Sequence, residues 1–175
     1  GRNMAKRALI PGASSGIGRD IAKELAKRGY DLIVVARTKE KLEELKNEVD
    51  VNVEVIPMDI SIKENCIELF NRVGYVDILV NNAGFGVFGR FITTDLDREI
   101  QLINTNIMAV HILTKLFLKE MIKKDSGYIL NVSSIAGHLP GPLMDAYYAS
   151  KSYVFVLSES INEELKKDKL NVKVG

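Results

Sequence analysis

The sequence predicts an α/β domain built on a doubly wound parallel sheet, and three observations carry that prediction. Short apolar runs alternate along the chain with amphipathic helical stretches, the pattern of parallel strands joined by helical crossovers. Runs such as Leu32-Ile33-Val34-Val35-Ala36 and Ile78-Leu79-Val80 are continuously apolar, as strands covered on both faces are. A glycine-rich turn, Pro11-Gly12-Ala13-Ser14-Ser15-Gly16-Ile17-Gly18, separates the first strand from the first helix, where a βαβ unit places a phosphate cradle.

Bulk properties narrow the class. The 175 residues, 46% hydrophobic and 27% charged, suffice for one domain with a real core. The net charge of +1, without a long run of one sign, gives no reason to expect nucleic acid or an anionic membrane as partner. No apolar run approaches the roughly 20 residues of a membrane span, and the N-terminus lacks a signal-peptide core. The single cysteine, Cys66, cannot form an internal disulfide, so a reducing, cytoplasmic setting is expected. Residues 1–3, ahead of Met4, read as a cloning remnant, which leaves 4–175 as a single domain.

Taken in order, Ala8-Leu9-Ile10 forms the first strand, and the helix after the glycine turn runs to about Lys27. The glycines permit a tight turn, and the free N–H groups and positive dipole end of the helix suit a pyrophosphate. The second strand, 32–36, ends at Arg37, nineteen residues past Gly18. A site preferring NAD usually carries a carboxylate there for the ribose 2′-OH. Neither Ala36 nor Arg37 is acidic, and a guanidinium suits a 2′-phosphate, so NADP(H) is expected in preference to NAD(H). Ser14 and Thr38 could add hydroxyl contacts.

A surface helix spans 39–49 with Leu42, Leu45 and Val49 inward, and the third strand covers 51–56. Asp59 follows, in a position to accept from an adenine amino group. Ser61 and Glu64 have the spacing of a capping box for a helix burying Ile62, Cys66, Leu69 and Phe70. The fourth strand, 78–80, leads into Asn81-Asn82-Ala83-Gly84 and the glycine-rich loop Gly84-Phe85-Gly86-Val87-Phe88-Gly89. From Leu96 to Lys124 the pattern is helical, with Ile100, Ile103, Ile107, Val110, Leu113, Phe117 and Met121 as the apolar stripe and Asn106 inside it. The fifth strand, 128–132, precedes a stiff Leu139-Pro140-Gly141-Pro142 loop and a helix to about Lys167. Residues 170–174 begin a sixth strand.

The chemistry-bearing stretch lies between the fifth strand and that last helix. Tyr147 and Lys151, four apart, share one helix face. An ammonium beside a phenol favours phenolate, which suits the pair to general acid–base work. Ser134, thirteen residues before Tyr147 at a strand's C-terminal end, suits the polarisation of a substrate carbonyl. Tyr-x-x-x-Lys alone is a common chance spacing; its weight comes from the glycine turn at the other end of the chain. His111 and His138 are read as structural. Phe85, Phe88, His138, Leu139 and Met144 suggest an apolar pocket.

Read together, the glycine turn, the Asn81-Asn82-Ala83-Gly84 tetrad and the Ser134/Tyr147/Lys151 set resemble the short-chain dehydrogenase/reductase family, over essentially all of residues 4–174. The Gly84-Phe85-Gly86 and Pro140-Gly141-Pro142 stretches resemble its ketoacyl-reductase-like branch. The resemblance implies a Rossmann fold and a carbonyl reductase in which Asn106, Ser134, Tyr147 and Lys151 form the catalytic tetrad. It implies cofactor contacts from Gly12, Ser14, Ser15, Gly16, Ile17, Gly18, Arg37, Asp59, Ile60, Asn82, Ala83, Gly84, Tyr147 and Lys151, and no metal. It further implies a small-molecule carbonyl or alcohol substrate and a homodimer or tetramer. In that mechanism Tyr147 exchanges the proton and Ser134 hydrogen-bonds the substrate oxygen. Lys151 tunes Tyr147 and holds the nicotinamide ribose, and Asn106 holds a relay water.

Two departures set further expectations. Pro11 stands where the family usually has Thr, removing a hydroxyl and an N–H and loosening the link to Asn81-Asn82. The sequence also ends at the sixth strand, where the family adds a nicotinamide-side loop, a substrate cover and a seventh strand. The chain is therefore expected to be a C-terminally truncated, six-stranded domain. It should hold the tetrad but little or no activity, and associate through helices 98–123 and 145–167 by way of Met108, Phe117, Tyr148, Phe155 and Leu157. The rival readings are a non-catalytic dinucleotide-binding or sensor domain and an inactive reductase fragment.

Overall fold

The computed structural model describes residues 5–14, 16–82, 86–132 and 145–175. Six parallel strands form one sheet in the order β3-β2-β1-β4-β5-β6. The strands are β1 (Arg7–Pro11), β2 (Asp31–Ala36), β3 (Val53–Pro57), β4 (Ile78–Asn81), β5 (Gly127–Asn131) and β6 (Val172–Val174). The helices are α1 (Gly16–Lys27), α2 (Lys39–Asn47), α3 (Lys63–Val73), α4 (Leu96–Ile103), α5 (Val110–Lys124) and α6 (Asp145–Lys167). The chain winds outward from β1 to β3, returns to β4 beside β1, and continues to β6 on the other side. That reversal opens a crevice between β1 and β4 at the C-terminal strand ends.

Strand alternation divides the core between the two faces of the sheet. In β1, Ala8 and Ile10 pack with Ala22, Leu32, Val34, Leu42 and Leu45. Leu9 faces the other way, among Ile33, Cys66, Leu69, Leu113, Phe117 and Met121. Burial, reinforced by nearby Asp59, pushes the Cys66 thiol up to about 11, and its S–H donates to the Ile60 carbonyl (3.1 Å). Among the described residues no helix is long and apolar enough to cross a membrane.

Several expected details are corrected. The third strand begins at Val53 rather than Val51. The Ser61 capping box does not form. Ile62 occupies the N-cap without a side-chain bond, and it is exposed rather than core. The Ser61 N–H and hydroxyl both donate to Asp59 Oδ1 instead (3.0 and 2.7 Å), so a local turn outcompetes the cap. The long helix is interrupted by a π-helical turn at Asn104–Ala109. A π turn holds an extra residue, so the apolar phase of α5 does not extend back into α4. Leu102 points inward, whereas Ile100 and Ile103 are 46% and 44% exposed. Phe117, expected at a subunit interface, is fully buried and packs edge-on against Phe70 at 5.0 Å.

Pro11 sits at the end of β1, and the neighbouring Gly12 N–H donates to Val35 O of β2 (2.7 Å). Alternation therefore turns Pro11 toward β4, where its missing N–H leaves Val80 O without a β1 donor. The Asn82 N–H donates to that carbonyl instead (2.9 Å). The expected loosening is thus offset from within the Asn81-Asn82 pair.

Candidate active site

The glycine turn and Asn82 are built around each other. Asn82 Nδ2 donates to Gly12 O (3.0 Å) and lies against the turn. A Cβ on Gly18 would fall 2.0 Å from that nitrogen and 2.4 Å from Gly12 O; one on Gly12, whose φ is +72°, would fall 2.4 Å from Asn82 O. Gly16 (φ +58°) opens α1, and among the described residues no heavy atom lies within 4 Å of a Cβ position there. Among the described residues the turn is thus closed behind by Asn82 and open in front, at the N-terminus of α1, the end of a helix whose free N–H groups suit an anion.

Beside it lies a cleft of about 200 Å³ whose lining includes Gly12, Ser14, Arg37, Thr38, Asp59, Ile60 and Asn82. The structure thus brings six of the fourteen expected cofactor residues, Gly12, Ser14, Arg37, Asp59, Ile60 and Asn82, to one wall of the crevice. Arg37 is exposed, and no acidic group among the described residues pairs with it. Asp59 is pinned by Ser61, and its carbonyl accepts from Asn65 Nδ2 (2.8 Å). Gln101 and Thr105 complete the lining. In sequence they look like solvated positions of an amphipathic helix, and nothing short of the fold marks them. Ile17 and Gly18 lie on the first turn of α1, outside the cleft lining. Ser15, Ala83, Gly84 and Phe85, and residues 133–144 with Ser134, His138, Leu139 and Met144, lie outside the described residues. Phe88, offered as a pocket residue, is largely exposed.

At the neighbouring strand end, three of the four expected catalytic residues converge. Tyr147 is 5% exposed, and Lys151 Nζ stands 5.4 Å from its ring centroid while donating to Val132 O (3.3 Å). Burial holds the Lys151 ammonium below the usual lysine range. The folded protein therefore binds this proton less readily than the unfolded chain, and its desolvation cost fades as pH rises through the folded midpoint. Asn106, buried in the π turn, donates from Nδ2 to Ser150 Oγ (3.4 Å), and the Ser150 hydroxyl donates to Tyr147 O (2.6 Å). Ser150 thereby ties Asn106 to the backbone of Tyr147, a link the sequence reading missed. π turns recur at functional sites because they aim a side chain that a regular turn would not. Tyr148 is half-buried, its ring edge-on to Tyr147 at 5.8 Å. A second cleft, of about 580 Å³, runs along α6 past Val132, Tyr148, Lys151 and Phe155. His111, read as structural, places Nδ1 2.7 Å from the Tyr153 hydroxyl.

The comparisons with known proteins agree with this fold. The family model described as short chain dehydrogenase matches residues 6–174. Among curated proteins, the very-long-chain 3-oxoacyl-CoA reductase of Anas platyrhynchos is 38% identical over 178 residues, which cover 95% of this chain and 57% of that protein. Its Rattus norvegicus counterpart is 32% identical, with 95% and 56% covered. The chain thus spans a little over half the length of these relatives. Among solved structures, a metagenomic short-chain oxidoreductase in complex with NADP superposes with a TM-score of 0.87 at 34% identity, covering 97% of this chain and 80% of that one. A Sphingobium yanoikuyae short-chain dehydrogenase in complex with NADPH gives 0.86 at 32% identity, covering 97% and 69%.

Proposed function

The chain belongs to the short-chain dehydrogenase family, and on that premise we propose an NADP(H)-dependent oxidoreductase that interconverts a carbonyl and a secondary alcohol. The observation that carries the reading is the convergence of Tyr147, Lys151 and Asn106 beside a glycine cradle and a cleft that presents Arg37. The relatives named 3-oxoacyl-CoA reductases support a 3-oxoacyl thioester as substrate.

The cradle fits the cofactor by shape: Gly12 and Gly18 leave no room for a Cβ, and Gly16 leaves the front open. Gly12, Gly16 and Gly18 would hold the pyrophosphate and Asp59 the adenine. Arg37 would hold the 2′-phosphate, with Ser14 and Thr38 beside it. When bound, the nicotinamide supplies or accepts the hydride. The protein supplies the proton. The Tyr147 hydroxyl donates it to the carbonyl oxygen during reduction and takes it back during oxidation. Lys151, held by Val132 O next to the Tyr147 ring, supplies positive charge against the developing phenolate. Ser134 is assigned the hydrogen bond to the substrate oxygen. Asn106 is assigned the relay water, and its bond to Ser150, which in turn donates to the Tyr147 backbone carbonyl, fixes its side chain beside the pair. The buried free Cys66 supports a reducing, cytoplasmic setting.

The test is NADPH consumption, by a chain completed to the length of its relatives, with a 3-oxoacyl thioester and with reactive diketones. Loss of NADPH with formation of the hydroxy product is expected from the completed chain, and little or none from residues 1–175 alone. Tight NADPH binding with no reduction of any carbonyl would replace this reading with the sensor reading.

We propose association on the same basis: Ile100 and Ile103 on α4 and Phe155 and Val156 on α6 are exposed, apolar surface of the kind an interface covers. Light scattering at micromolar concentration is expected to give a homodimer or a tetramer, and a clean monomer would remove the claim.

A further inference from the structure

Helix α6 carries Tyr147 and Lys151, yet little apolar packing fixes it. Of its 23 residues, only Tyr147, Ser150, Ser158 and Leu165 are buried, and Phe155 and Val156 stand 63% and 59% exposed. A helix with a strong apolar stripe takes its rotation from that stripe. What α6 has instead is a line of polar side chains, each pinned to a strand end. At about 100° per residue, Lys151, Ser158 and Asn162 all lie within about 60° of Tyr147 around the axis. Lys151 Nζ donates to Val132 O (3.3 Å). Ser158 Oγ accepts from Asn131 Nδ2. Asn162 brackets Val174, with Nδ2 donating to its carbonyl and Oδ1 accepting from its N–H. Asn131 is itself anchored: its Oδ1 accepts from Asn81 Nδ2 (3.0 Å), which also donates to Thr114 Oγ1 on α5 (3.0 Å). The chain of bonds thus runs from α5 through β4 and β5 to α6.

We propose that Asn131 and Ser158 are positioning residues: their hydrogen bond sets the rotation and axial height of α6, and so the placement of the Tyr147 hydroxyl and the Lys151 ammonium. The catalytic consequence rests on the reductase reading above; the geometric claim does not. Ser158 lies about 10 Å beyond Lys151 and about 16 Å beyond Tyr147 along the helix at 1.5 Å per residue. It touches neither group and acts through the helix between them. A directional bond defines one register, because a slip of one residue turns the helix by about 100°, whereas the sparse apolar contacts of α6 tolerate small rotations.

The test labels lysines as ¹³C-dimethyl derivatives and follows the Lys151 resonance, assigned with Lys151→Arg, through a pH titration. In the unaltered protein burial keeps its midpoint below that of surface lysines. Glu159, the acidic side chain lining the same cleft, is retained in every variant. Ser158→Ala is expected to move the midpoint up toward the surface lysines, and Ser158→Thr, which keeps Oγ, to restore it. Asn131→Leu should act like Ser158→Ala. Leu165→Ala, which removes packing at the far end of α6, should lower Tm without moving the midpoint. An unmoved Lys151 in Ser158→Ala, or an equal shift in Leu165→Ala, would overturn the proposal. Failure of both Ser158→Ala and Asn131→Leu to fold would do the same, by making the pair structural. In NADPH oxidation by a chain completed to the length of its relatives, Ser158→Ala should lose about tenfold to a hundredfold in turnover, the scale of an ångström-sized misplacement. If the completed, otherwise unaltered protein oxidises no NADPH, the reductase reading fails, and the Lys151 titration still decides the positioning claim.

Discussion

Replacing Tyr147 by Phe, in a chain completed to the length of its relatives, is expected to lower turnover by about 10²–10⁴-fold, the usual contribution of a positioned acid or base, with NADPH binding left nearly intact. The change removes one oxygen and nothing else. The ring stays in its buried seat under Lys151, and the bond from Ser150 reaches the Tyr147 backbone carbonyl, which Phe keeps. Tyr148→Phe is the matched control. It sits next in sequence but about 100° around the helix, half-buried and edge-on to Tyr147, so its loss should be mild. Steady-state rates of NADPH oxidation for the two variants decide the register. A dead Tyr148→Phe beside an active Tyr147→Phe would put the proton donor on the wrong side chain.

Gly18→Ala is expected to remove dinucleotide binding and lower the stability of the fold. The new methyl would lie 2.0 Å from Asn82 Nδ2 and 2.4 Å from Gly12 O. The second of these is backbone, so Asn82 must give way and its 3.0 Å bond to Gly12 O is lost. Overpacking costs about 1–3 kcal/mol and the hydrogen bond about 1 kcal/mol, and the displaced turn no longer presents its N–H groups. Gly16→Ala gives the contrast. Its methyl would meet nothing within 4 Å, so stability should fall only by the positive-φ strain, about 1–2 kcal/mol, while the methyl obstructs the open face of the cradle. Thermal denaturation and NADPH titration of both variants test this. Equal losses of Tm would contradict the steric account of Gly18.

Much of the fold was legible because its strands and its glycine turn obey local rules. β2 is β-branched and continuous because both faces are covered, and Gly12 and Gly18 are glycine because Asn82 fills the space a side chain would need. What was not legible depends on pairings distant in sequence. The phase break at Asn104–Ala109 leaves no compositional trace, so Ile100 and Ile103 read as one continuous stripe with Leu113, Phe117 and Met121, although only the latter three are buried. Ser61 had two acceptable partners, a helix N-terminus and Asp59, and only the folded loop chooses between them. Asn131 and Ser158 each look ordinary in sequence, yet they meet across 27 positions. Pro11 was correctly read as the loss of an N–H, but its replacement by the Asn82 N–H appears only once β1 and β4 lie side by side.

The central claim, a cleft shaped for NADP(H), is tested most directly by calorimetric titration of the unaltered chain with NADP⁺ and with NAD⁺. Arg37 lines the cleft where a carboxylate would favour NAD, and a charge-assisted bond of this kind contributes about 1.5–3 kcal/mol. NADP⁺ is therefore expected to bind about tenfold to a hundredfold more tightly, with the order reversed in Arg37→Asp. Equal dissociation constants for the two cofactors, or no heat with either, would contradict it.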